Sequence, residues 1–133
     1  MVVASSVPEA VRALVARPDR RLGGTLRVAA ALLLRQCLED DLSAFWVMAE
    51  PGMERVSHRA QLISLPFYVE EGLGRRAAAA WSQLSAICHH DAYELAPSVE
   101  EVRRLADVVE ELSVAVTISP AAGAATAGTQ AAI

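Results

Sequence analysis

Lysine is absent, and all twelve basic residues are arginine. Set against sixteen acidic residues they leave a net charge of −4, so the whole molecule has no general electrostatic grip on nucleic acid or on an anionic membrane. Only a local basic patch could serve that purpose. Aromatics are scarce at 5%, and the arginines are scattered instead of interleaved with them, which argues against a stacking surface for single-stranded nucleic acid. Cysteine occurs twice, at Cys37 and Cys88, with no paired spacing for zinc or redox chemistry. Buried free thiols in a reducing compartment fit these two residues, with a disulfide between them as the alternative. Long apolar runs are missing too. The longest, Val28 to Leu34, is closed by Arg27 and Arg35, far short of the roughly 20 residues a membrane-spanning helix needs. Pro8 and Glu9 stand where the apolar core of a signal peptide would be, so the chain reads as cytoplasmic.

What the chain does contain is apolar bulk at helical spacing. At 133 residues, 53% hydrophobic, 21% charged and with a mean hydropathy of +0.30, it is too apolar for a disordered chain and suits one domain. A first helix is expected from Ser6, with Pro8 early where its missing N–H costs nothing, and it stops before Pro18. A long second helix runs from Gly23-Gly24 to about Ala49, ended by Pro51-Gly52. Its apolar rows, Leu26, Ala30, Leu33, Cys37, Ala44, Met48 and Ala29, Leu34, Leu38, Phe45, exceed one face and predict burial on several sides. The third spans roughly 57–68, with Pro66 kinking or ending it, and the fourth about 73–90. Ser98-Val99-Glu100-Glu101 has capping-box form and starts a fifth helix, which absorbs the β-branched stretch 114–118.

The expected fold is therefore all-α, an up-and-down bundle of four to five helices over residues 1–118. Residues 119–133, made only of small and weakly polar types apart from one isoleucine and a proline, read as a mobile tail. The apolar rows of the long helix need more cover than one chain provides, which points to a homodimer through that helix.

Candidate chemistry concentrates at Cys88-His89-His90-Asp91. Neighbouring helical side chains diverge by about 100°, so this run does not converge on a metal, and no metal or cofactor is expected. The plainer reading places His89 and His90 at a helix C-terminus, where partial negative charge favours imidazolium. A second group is Arg35 with Glu39, Asp40 and Asp41. Arg35 and Glu39, four apart, read as a solvated pair. Asp40 and Asp41 flank the core stripe. At least one should meet Arg59, a histidine or an N-terminal amide, either as a buried structural pair or as an acid site. A small-molecule-binding bundle would need an apolar pocket beside these acids. Three arginine doublets, at 20–21, 75–76 and 103–104, read as solvated surface, unless folding gathers two of them around His89 and His90 into a phosphate-binding groove.

Trp81, Leu84-Ser85, His89-His90, Tyr93 and the Pro97-Ser98 helix start together resemble the closing segment of HEPN-superfamily proteins, over 81–101 in residue detail and 24–113 in helix order. The resemblance implies an all-helical, commonly dimeric protein, from a group in which many members are metal-independent endoribonucleases. Active members resemble one another in an arginine four to six residues before a histidine, so that a cation holds phosphate one turn from an imidazole that moves a proton. Here that window holds Gln83, Leu84, Ser85 and Ala86, and the nearest upstream arginine, Arg76, lies more than three helical turns from His90. The resemblance thus implies a degenerate, non-catalytic member that acts through dimerisation and a protein partner. Its alternative is an RNA-cleaving enzyme of toxin or defence type using His89 or His90, with Arg59 and Arg76 as phosphate-binding candidates and Arg35 or a partner subunit as further sources of the cation.

Overall fold

The computed structural model describes residues 3–17, 21–89 and 96–118, with no strand among them. Helix α1 spans Val3–Val15, α2 Gly23–Ala49, α3 His58–Ser64, α4 Glu71–Cys88 and α5 Val99–Ile118, with short 3-10 turns at Met53–Arg55 and Leu65–Phe67. The proposed tail, 119–133, lies outside the described residues, as do His90, Asp91 and Tyr93.

The side-chain bridges fix the helix directions. Arg12 of α1 meets Asp107 and Glu110 of α5, and the end of α1 meets the start of α5, so these two run antiparallel. Arg76 early in α4 reaches Glu111 late in α5, while Gln83 further along α4 meets Arg104 nearer the start of α5, again antiparallel. Arg27 to Pro97 and Asp41 to Ser113 advance together, so α2 and α5 run parallel. The result is an up-and-down bundle of α1, α2, α4 and α5, with α2 and α5 as the touching diagonal and α3 as an excursion between α2 and α4.

Local sequence explains most boundaries. Ser57 and Ser98 cap α3 and α5, accepting from the amides of Ala60 and Glu101 at 3.2 and 3.1 Å. Pro66 ends α3 as expected, and the chain passes into the 3-10 turn around it. Gly74 is required beside that turn, since a Cβ there would stand 2.9 Å from the Pro66 Cα. Two starts differ from expectation. α1 begins at Val3, which leaves Pro8 inside the helix, where its ring is fully buried. α4 begins at Glu71 because the Glu70 carboxylate accepts from the amides of Gly72 and Leu73, both at 2.8 Å. Those two bonds, Gly72 first, hold the Glu70 carboxyl below the usual range.

The core runs along the diagonal. From α2 it takes Ala30, Ala31, Leu34, Cys37, Leu38, Leu42, Phe45 and Trp46, and from α5 Val102, Leu105, Ala106, Val109 and Leu112. This corrects the expected burial of α2. The row with Leu34, Leu38 and Phe45 is inside, but Leu33 is 49% and Met48 69% exposed, and Ala29 and Ala44 also face outward.

Candidate functional site

Of the residues singled out for catalysis, His89 is exposed at the C-terminal end of α4, where its amide donates to the Ser85 carbonyl. His90 lies outside the described residues. Arg76 is held by Glu111 at 2.8 Å, and Arg59 is exposed on α3. Among the described residues, which leave out Arg20, the arginine doublets do not gather at His89. Arg75 pairs with Glu71, Arg104 with the Gln83 side chain, and Arg103 lines a separate recess that does not include His89. Among the described residues no group of three or more His, Cys, Asp and Glu is placed to hold a metal ion, and no helix is long and apolar enough to cross a membrane.

The acid pair divides. Asp40 is exposed and accepts from the Gln36 side chain at 3.0 Å. Asp41 is partly buried and accepts from the Ser113 hydroxyl of α5, with the Cys37 thiol 3.8 Å away. Neither finds the arginine, histidine or helix amide expected from the sequence. A hydroxyl 72 positions away in the chain supplies the contact instead. Burial pushes the Asp41 carboxyl above its ordinary range, partly offset by the bonds from Ser113 and Cys37. Burial, and then the neighbouring Asp41 charge, pushes the Cys37 thiol up to about 11, the direction a packed thiol takes.

A proton-linkage prediction follows. Because the folded pKa of Asp41 is raised, the unfolded chain gives up its proton first, and Asp41 costs stability as pH rises through and just above the ordinary carboxylate range. Asp41→Asn keeps an oxygen for Ser113 and removes the charge. Urea midpoints measured from acid to neutral pH should fall less with rising pH in the variant than in the parent; equal slopes would refute a buried, costly carboxylate.

The group that sequence reasoning missed is centred on Glu39. Its Oε2 accepts from the Trp81 indole N–H of α4 at 2.9 Å and from Arg35 Nε at 3.1 Å, and His58 Nδ1 of α3 stands 3.5 Å away. The Glu39 side chain is only 15% exposed, so the expected solvated pair is instead a partly buried junction of three helices. The Arg35 guanidinium lies 5.8 Å from the Trp81 ring centroid, near the limit for a cation–π contact. One carboxylate thus satisfies an indole and a guanidinium and stands beside a half-exposed imidazole. The arrangement anchors α2, α3 and α4 to one another. The sequence signal was the Arg35–Glu39 spacing, but nothing local pointed to Trp81, 42 positions on.

Asp40 and Asp41 line neither the recess beside Arg17 and Arg103 nor a groove on another face. This groove, of about 480 Å³, runs beside Leu73, Val114 and Ala115 under the carboxylates of Asp107, Glu110 and Glu111. Comparison with models of protein families, with curated proteins and with solved structures finds no match to this chain.

Proposed function

We propose that the chain is a HEPN-like helical protein that acts through dimerisation and a protein partner, not through catalysis. The observation that carries this reading is the outward face of α2. Leu32 and Leu33 near its beginning are 55% and 49% exposed, and Val47 and Met48 near its end are 49% and 69% exposed. Two apolar clusters therefore sit on one helix of about 40 Å, separated by the polar Gln36 and Asp40. An antiparallel two-fold axis through the region of Asp40 lays the first cluster of each copy on the second cluster of the other. Such self-complementarity is what an isologous interface requires. Ile63 and Phe67, one turn apart and 67% and 87% exposed, offer a second apolar surface for a protein partner.

Against catalysis stands the arginine missing from the turn before His89, together with the engagement of Arg76 by Glu111. Light scattering across micromolar concentrations should give a mass approaching twice 14.1 kDa, and purified protein should leave single-stranded RNA intact in the presence of chelator. A monomer at every concentration would remove the dimer. RNA cleavage abolished by His89→Ala would establish the enzyme instead.

A further inference from the structure

We propose that the recess between the end of α1 and the beginnings of α2 and α5 binds a small phosphomonoester that carries an apolar body. This reading is independent of the dimer. The recess has a volume of about 460 Å³, within the usual range for small-molecule sites. Leu14, Leu26 and Val99 give it an apolar wall, and Arg17, Arg27 and Arg103, from three different helical regions, give it three positive charges.

The arginines here differ from most of those elsewhere among the described residues, although Arg59 and Arg104 also meet no carboxylate. Arg12, Arg35, Arg55, Arg75 and Arg76 each meet a carboxylate. Among the described residues no carboxylate lines the recess, and neither Arg17 nor Arg103 makes an ion pair or hydrogen bond. Arg27 donates from Nε to the Pro97 carbonyl at 2.6 Å, which fixes its side chain without neutralising it. Its Nη1 lies over Gly23, where an added Cβ would stand only 3.1 Å away. In a chain of net charge −4, three cations brought to one cavity without a counterion among the described residues are an arrangement that an anion completes.

The type of anion follows from the donors. Guanidinium forks match the tetrahedral oxygens of a phosphate in paired hydrogen bonds, and a phosphomonoester near neutral pH brings close to two negative charges where a carboxylate brings one. The leucine and valine wall would be left wet by inorganic phosphate alone, so the ligand must also carry an apolar group.

Titration calorimetry on the full chain with naphthyl phosphate tests this directly, with naphthol, naphthoate and inorganic phosphate as the other arms. Naphthyl phosphate should bind, with each of the other three weaker by about tenfold or more and its own affinity falling as salt is raised. Arg17→Gln with Arg103→Gln should weaken it by at least about tenfold while the thermal melt stays in place, since both side chains are exposed. Arg103→Gln alone should give part of the loss, so the result does not rest on one variant. No binding of the ester, or unchanged affinity in the double variant, would overturn the site. Naphthoate binding as tightly as the ester would overturn the assignment to phosphate, and naphthol or inorganic phosphate doing so would overturn the pairing of charged head with apolar body.

Discussion

Trp46→Ala should lower the free energy of unfolding by about 3–5 kcal/mol, the usual cost of truncating a large buried aromatic. Trp46 is fully buried on α2 and sits edge-on to Phe45 and Tyr68, with ring centroids 5.0 and 4.9 Å away. It thereby ties the end of α2 to the turn that follows α3. Domains of this size commonly hold only about 5–15 kcal/mol, so the variant would be close to unfolding at ambient temperature. Trp46→Phe should behave very differently. The indole N–H has no hydrogen-bond partner among the described residues, so phenylalanine removes a buried unsatisfied donor while keeping an aromatic ring. The lost volume and the relieved donor oppose each other, and the net change should be about 1 kcal/mol or less. Urea unfolding followed by circular dichroism separates the two cases. Equal losses in both variants would mean that the N–H is satisfied and that its bond matters.

The contrast between Trp46 and Trp81 illustrates what could be read in advance. Both sit in helices whose bounds are locally encoded: α2, with Trp46, extends over Gly23–Ala49 as its flanking glycines and proline predict, and α4, with Trp81, starts at Glu71 behind the Glu70 cap. The all-helical bundle follows from such punctuation and from the lack of any paired strand pattern. The phase of α2 does not. Apolar residues lie on nearly every side of that helix, so periodicity could not choose between Leu34, Leu38 and Phe45, which are buried, and Leu33 and Met48, which face out although Ala30 and Cys37 of the same row are inside. The polar contacts were less legible still. Glu39 with Trp81, Asp41 with Ser113 and the three arginines of the recess all join residues from separate helices, and local spacing carries no record of them. The acids drew attention as a run, yet Asp40 points to solvent while Glu39 and Asp41 turn in opposite directions to meet α4 and α5.

That division on α2 sets up the largest expected effect on assembly. Leu32→Glu together with Met48→Glu should raise the dissociation constant of the proposed dimer by about 100-fold or more, because each copy would bury two unpaired carboxylates at the interface. The fold should survive, since both side chains are mostly exposed within one chain. An unchanged far-ultraviolet spectrum and a sedimentation coefficient falling to that of the monomer would show both halves of the effect. Asp40→Asn should act in the other direction. A two-fold axis near residue 40 brings the two Asp40 carboxylates toward each other, and two like charges at an interface repel more strongly as water is excluded between them. Removing that repulsion, with Gln36 still beside the new amide, should tighten the dimer and make its stability less sensitive to salt. Sedimentation at several salt concentrations distinguishes this from a general gain in stability. If Asp40→Asn leaves association untouched while the double glutamate variant abolishes it, the copies meet through α2 but not with Asp40 at their axis.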